Sequence, residues 1–327
     1  MMDKPLDLII VGAGPTGINC GISAKKSGLD FAIIEKGVLV NSIFHFPANM
    51  TFFSTSKLLE IGDIPFISHT EKPTRKEALE YYRRIVTSYN LPVQFYETVK
   101  SLEKGSEYYS LHTDKGIYKT KSVIVSTGFY DIPVMMNVPG EDLPKVKHYY
   151  DEAHHYLDQK VLVVGAANSA CDVALETWQK GAEVTLAVRS AELYDRVKYW
   201  ILPNIKNRIK EGSIAAHFKT VVKQIEPKSV TLYSEDKGTF VIENDFVLAM
   251  TGYKPDYGLF ERIGIAIQDD EYKTPQFDEK TLETNLPNVF IAGVANGGLK
   301  TNSYFIENTR YQGDLIINQL VKSKVST

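Results

Sequence analysis

Three glycines carry the first chemical signal: Gly12, Gly14 and Gly17 stand in Val11-Gly12-Ala13-Gly14-Pro15-Thr16-Gly17, directly after the apolar run Leu6-Asp7-Leu8-Ile9-Ile10. Glycine at the first position permits a tight bend, at the second it lets the main chain approach a pyrophosphate, and at the third it allows a helix to pack closely on the strand behind it. Phosphates would lie at the positive end of that helix, among N–H groups that lack an intrahelical acceptor. The next apolar run, Phe31 to Ile34, ends in Glu35, at the spacing where a carboxylate accepts both hydroxyls of an adenosine ribose. Gly12, Gly14, Pro15, Thr16, Gly17, Glu35 and Lys36 therefore form one candidate dinucleotide site, completed by Thr127, Gly128, Gly293 and Val294 at the ends of two later apolar strands.

A second constellation repeats the pattern. Lys160 to Val164 reads as a strand, Gly165-Ala166-Ala167-Asn168-Ser169-Ala170 as the turn, and a helix to about Lys180 is followed by Gly181 and the strand Glu183 to Val188. The interval from Gly12 to Glu35, counted from Gly165, ends at Val188, immediately before Arg189. Ala167 replaces the second glycine and leaves a methyl group near the pyrophosphate. Charge separates the two sites: Glu35 would repel a 2′-phosphate, whereas Arg189, with Arg196 and Lys198 nearby, would attract one. The first site is expected to hold FAD, and the second, through Gly165, Ala167, Asn168, Ser169, Ala170 and Arg189, NADPH.

The elements that must position these residues follow from the same strings. Val123-Ile124-Val125-Ser126-Thr127-Gly128 and Phe246-Val247-Leu248-Ala249-Met250-Thr251-Gly252 are matching buried-type strands ending in Thr-Gly, and the second nucleotide unit lies between them. The fold class expected is α/β, with two Rossmann-like nucleotide-binding domains, one inserted into the other: residues 1–125 and 249–327 form the FAD domain and 126–248 the NADPH domain. Hydride would pass between the cofactors after the domains rotate about the Thr-Gly crossings. Thr74 caps a helix over Arg75 to Asn90, with Leu79, Tyr82, Ile85, Val86 and Tyr89 at helical spacing. Short strands are expected around Gln94 to Leu102, Tyr108 to Thr113 and Ile117 to Lys119. The aromatic, hydroxyl-rich stretch Gly37 to Phe66 reads as a binding loop. A helix from about Tyr304 closes the chain, its N-terminus able to stabilise negative charge on a reduced flavin.

Composition narrows the function classes. The chain has 327 residues, a 43% apolar fraction and a net charge of −3, with no broad basic field for nucleic acid or anionic lipid. No apolar run approaches the roughly 20 residues that span a bilayer. Its two cysteines, Cys20 and Cys171, are too few for a disulfide scaffold, and they fit a cytoplasmic protein. They are also too far apart in sequence for a local dithiol pair, so each reads as a helix packing residue. The histidines 148, 154 and 155 beside Asp151 read as a connector; no metal site is expected. No catalytic residue is assigned from the residues alone.

Longer stretches are more specific. Thr51-Phe52-Phe53-Ser54-Thr55-Ser56-Lys57-Leu58-Leu59-Glu60-Ile61-Gly62, Val138-Pro139-Gly140-Glu141-Asp142-Leu143-Pro144-Lys145-Val146, Val197-Lys198-Tyr199-Trp200 and Phe305-Ile306-Glu307-Asn308-Thr309-Arg310 resemble the YpdA-type bacillithiol disulfide reductases, within the thioredoxin-reductase-like flavoproteins. The resemblance implies FAD, NADPH, a homo-oligomer and reduction of a low-molecular-weight thiol disulfide. Val294 agrees with the narrower group, where thioredoxin reductases carry Asp. Thr16 departs from it: the family typically has a cysteine there that is implicated in its disulfide chemistry. Reduction of ferredoxin or a quinone, flavin-dependent oxygenation, or nucleotide-bound redox sensing without turnover stay open as alternatives.

Overall fold

The computed structural model describes residues 4–325; residues 1–3 and 326–327, at the ends of the expected FAD domain, lie outside the described residues. The chain divides into two compact units, Met1–Phe44 with Met50–Ile132 and Tyr253–Thr327, and His45–Asn49 with Pro133–Gly252. The crossings thus fall after residues 132 and 252 rather than after 125 and 248. Ser126 still belongs to the first unit because its N–H bonds Val11 O at 2.8 Å, and Met250 belongs to the second because its carbonyl lies against Gly165.

The first unit is built on a mixed sheet ordered Val93–Gln94, Phe31–Ile34, Leu6–Val11, Ile117–Val125, Tyr109–Thr113, Val99–Lys104. Leu8, Ile9 and Ile10 are each fully buried because parallel strands of this kind are covered on both faces, which makes their sequence a continuous apolar run. Ile9, Val11, Val123, Val125 and Ile291 pack on Phe260 and Ile263 of the helix Tyr257–Ile263.

Ile117–Val125 is one strand where two were expected. Its first residues pair antiparallel with Tyr109–Thr113, while Val123, Ile124 and Val125 pair in parallel with Leu6–Val11 on one side and Val289–Ile291 on the other. Half of it is a solvated meander and half a buried core strand, and this change of neighbours produces the break in its hydrophobic pattern.

Helix Arg75–Tyr89 begins with a capping box: Thr74 and Glu77 satisfy each other's backbone donors. Three of its tyrosines pin the preceding loop. Tyr81 Oη donates to Ile64 O at 2.8 Å and accepts from Ile61 N at 2.9 Å, Tyr82 Oη donates to Leu59 O at 3.2 Å, and Tyr89 Oη donates to Gly62 O.

The closing helix is broken into Ile306–Thr309 and Gln312–Val325. The missing side chain of Gly313 lets the second piece lie close against helix Pro15–Lys26, where a Cβ would sit 2.8 Å from Cys20 N.

The second unit carries a five-stranded parallel sheet ordered Ala215–His217, Glu183–Ala187, Lys160–Val164, Phe246–Ala249, Val146–Lys147, together with the antiparallel meander Thr220–Glu226, Ser229–Ser234, Gly238–Glu243. His45–Asn49 joins this unit through Ala48 N to Asp151 O at 2.8 Å and Asn49 Nδ2 to Glu176 Oε1 at 2.9 Å, so the aromatic stretch Gly37 to Phe66 is shared between the units. Among the described residues no helix is long and apolar enough to cross a membrane.

Candidate functional site

The first-unit site is a turn that only glycine can make. Gly12 has φ 105°, and a Cβ on Gly17 would lie 2.0 Å from Gly12 O, so the helix starts in contact with the strand end. Gly14 differs: a Cβ there would meet nothing within 4 Å, which leaves free space above the turn. Helix Pro15–Lys26 has no side-chain cap. Pro15 has no N–H and Ile18 N already bonds Gly14 O at 2.9 Å, which leaves the N–H groups of Thr16 and Gly17 as donors for an anion.

Glu35 is buried, and both of its oxygens are fixed by backbone: Oε2 accepts from Ala13 N at 2.8 Å and Oε1 from Gly37 N at 2.9 Å. Burial nonetheless raises its pKa above the usual carboxylate value, opposed by those two hydrogen bonds. Each oxygen keeps a lone pair, so the carboxylate can accept two hydroxyls. Lys36 is paired with Asp131 at 2.9 Å, so its charge is partly balanced within the protein.

Gly293 brings in residues that sequence reading missed. Its N–H bonds Gln312 Oε1 at 2.6 Å, and a Cβ on it would lie 3.2 Å from Thr16 Oγ1. The Thr16 and Thr309 hydroxyls are 3.1 Å apart, and Thr309 Oγ1 donates to Phe305 O at 2.7 Å. With the Thr309 proton committed to Phe305, Thr16 is the donor in their contact, and its lone pairs remain free. Thr127 Oγ1 and Asn296 Oδ1, the latter on a residue whose N–H reaches Gly293 O at 3.3 Å, are buried with no hydrogen-bond partner among the described residues. Buried polar atoms without partners are uncommon in folded proteins unless something absent completes them. Free space at Gly14, free N–H donors, an anchored carboxylate and two orphaned oxygens together fit a dinucleotide cofactor.

In the second unit Gly165 has φ 140°, and a Cβ on it would meet Met250 O at 2.6 Å. Ala167 is the extended residue before helix Asn168–Gln179, which has no side-chain cap. Cys171 N reaches Ala167 O at 3.1 Å, so the N–H groups of Asn168, Ser169 and Ala170 face out of the helix end. Asn168's side chain is already used: its Oδ1 accepts from Lys198 N at 2.8 Å. Lys198 is likewise committed, its ammonium 2.7 Å from Asp172 and largely buried. The cationic group expected beside Arg189 is therefore reduced to Arg189 and Arg196, both exposed and without an ion-pair partner among the described residues. Val188 N to His217 O at 2.9 Å, Thr220 N to Val188 O at 2.9 Å and Lys219 N to Ser190 O at 3.0 Å hold the backbone around Arg189.

The cysteines lie apart from this chemistry. Cys20 and Cys171 are fully buried in separate units, and burial pushes each thiol up to about 12, with Asp314 adding to the shift at Cys20 and Asp172 at Cys171. His148 lies 3.3 Å from Glu141, while His154 and His155 are exposed on the short turn Ala153–Tyr156.

The sequence matches the family described as pyridine nucleotide-disulphide oxidoreductase over residues 9–293. It is 44% identical to bacilliredoxin reductase Bdr of Bacillus subtilis over 96% of this chain and 97% of that protein. The solved structures of bacillithiol disulfide reductase Bdr (YpdA) from Staphylococcus aureus and Bacillus cereus superpose with TM-scores of 0.95 and 0.94, at 39% and 41% identity, over 98% of this chain and 99% and 100% of theirs. Thioredoxin reductase from Lactococcus lactis shares the fold at 20% identity and a TM-score of 0.78. The chain belongs to the pyridine nucleotide-disulphide oxidoreductase family, and it is an α/β oxidoreductase of the kind that works with a flavin and a pyridine nucleotide.

Proposed function

We propose that this protein is an NADPH-dependent, FAD-containing reductase of a low-molecular-weight thiol disulfide of the bacillithiol disulfide class. The observation that carries the reading is the contrast between the two turns: one is followed by a strand ending on the anchored carboxylate Glu35, the other by a strand ending beside the exposed Arg189. An anchored acid favours ribose hydroxyls and rejects a 2′-phosphate; an unpaired guanidinium does the reverse. The disulfide class rests on the similarity to the Bdr proteins.

In this reading the first unit is the FAD domain and the second the NADPH domain. Thr16 and Gly17 N–H groups hold the FAD pyrophosphate, Glu35 holds its ribose, and Thr127, Gly128, Gly293, Val294 and Asn296 meet the rest of the cofactor. The backbone of Gly165, Ala167, Asn168, Ser169 and Ala170 holds the NADPH pyrophosphate, and Arg189 its 2′-phosphate. The flavin supplies two-electron chemistry between nucleotide and disulfide. A cytoplasmic setting accords with two free, buried thiols. A homo-oligomer accords with the exposed apolar side chains Phe53, Phe305 and Tyr311, on segments that Ser54 and Glu307 tie together at 2.6 Å.

The test is direct. The purified protein should release FAD on heating, its flavin should bleach on anaerobic addition of NADPH faster than of NADH, and bacillithiol disulfide should restore the colour. Flavin that NADPH leaves unchanged would refute the reading and favour nucleotide-bound sensing.

A further inference from the structure

The chain belongs to a family named for disulphide chemistry, yet it contains two cysteines only, one in each unit, and both are fully buried. We infer that neither cysteine enters the electron path, so that no covalent protein–substrate disulfide forms and a substrate disulfide is reduced with both of its sulfurs leaving to solvent. The inference rests on the proposed disulfide reductase function and adds how the substrate is handled.

A protein thiol that relays electrons must be ionised, reachable by the substrate and aligned with a second sulfur. Cys20 meets none of these conditions. It lies on the helix Pro15–Lys26 under the approach of Gly313, in packing so close that a Cβ on Gly313 would fall 2.8 Å from Cys20 N and 2.9 Å from its Cα. Cys171 packs in the apolar cluster with Val161, Val173, Ala174 and Leu186, its thiol directed at Ala166 O at 3.9 Å. Burial pushes both thiols up to about 12, which keeps them protonated at neutral pH. The hydroxyl in the first glycine turn, Thr16, offers no substitute, because an alcohol forms no mixed disulfide and its proton is committed to Thr309.

The reaction balances without a protein sulfur: RSSR + NADPH + H⁺ gives 2 RSH + NADP⁺. The nucleotide gives up two electrons and one proton as hydride, the S–S bond breaks on receiving the two electrons, and the second proton comes from solvent. No further oxidant or reductant is required.

The experiment treats the NADPH-reduced holoenzyme with N-ethylmaleimide, follows intact mass, and then measures NADPH oxidation with bacillithiol disulfide. The expected result is no mass increase in the native protein, two additions after denaturation, and unchanged turnover after treatment. A reduced sample mixed with bacillithiol disulfide and acid-quenched should likewise show no adduct mass. The Cys20→Ala, Cys171→Ala double variant should retain full turnover; if it does not fold, the labelling and quench results on the unaltered chain decide the matter. A bound bacillithiol mass, or activity lost in proportion to labelling of one cysteine, would overturn the inference. If no disulfide reoxidises the flavin but benzoquinone does, the proposed substrate class fails, and the labelling measurement with benzoquinone as acceptor still decides whether a cysteine takes part.

Discussion

Replacing Arg189 by Ala isolates the one charged group on which the coenzyme assignment rests. Arg189 is exposed, its backbone fixed by the bonds around Val188 and Ser190, and among the described residues it has no ion-pair partner to give up when a phosphate arrives. A hydrogen bond between charged groups contributes about 1.5–3 kcal/mol, or on the order of 10–100-fold in affinity. Solvent screening at an exposed site moves the expectation to the lower end, about 10-fold. Lys198 cannot compensate, since Asp172 neutralises it at 2.7 Å; Arg196 can retain part of the attraction. Anaerobic stopped-flow measurement of flavin bleaching against nucleotide concentration should therefore show the apparent Kd for NADPH rising about 10-fold in the variant while that for NADH stays put. Added salt should weaken NADPH binding to the unaltered protein more than to the variant. Equal losses for both nucleotides, or no preference for NADPH before the change, would refute the assignment of the 2′-phosphate to this residue.

Three further outcomes are expected. Gly17→Ala should fail to fold or lose much of its stability in thermal unfolding, because its methyl would lie 2.0 Å from Gly12 O, whereas Gly14→Ala, which meets nothing within 4 Å, should fold normally and lose FAD affinity; equal melting temperatures for the two apo variants would contradict the geometry. Thr309→Val should leave the Thr16 hydroxyl without its acceptor in a fully buried site and cost about 1–3 kcal/mol by denaturant titration, with weaker FAD retention as a second readout; an unchanged midpoint would show that the pair contributes nothing. Glu77 is held down to about 2 from 4.5 by the hydrogen bonds it accepts from Thr74, His69 and Ser68, against the opposing effect of desolvation. A depressed folded-state pKa contributes stability above the unfolded value that is lost as pH falls between the two. Glu77→Gln should thus lower the melting temperature at pH 7 and flatten its decline between pH 4.5 and 2; identical pH profiles would remove the capping box from the account.

What the sequence made legible, and what it hid, follows from how far apart the interacting residues lie. The apolar run at Leu6 to Val11 is readable because a strand covered on both faces leaves no polar alternation. Thr74 and Glu77 announce a helix start because both partners sit within one turn. Glu35 is readable because the strand–turn–helix unit fixes its spacing from Gly12. The hydroxyl pair Thr16–Thr309 joins residues 293 positions apart, and no local pattern links them. Gln312 and Asn296 were hidden for a related reason: one polar side chain at the start of an amphipathic helix and one in a glycine-rich turn look like ordinary solvated residues until the fold sets the first against Gly293 and buries the second. Lys198 shows the opposite error, since a lysine near Arg189 reads as part of a basic cluster until Asp172, on the facing helix, cancels it. Local geometry can therefore be inferred from spacing, while the charge and hydrogen-bonding capacity left over for a ligand depend on which distant partners have already been taken. At the two candidate sites that remainder, among the described residues, is Arg189 with Arg196 in the second unit and the orphaned oxygens of Thr127 and Asn296 in the first, and it is this remainder, more than the glycine motifs, that the coenzyme and flavin experiments put to the test.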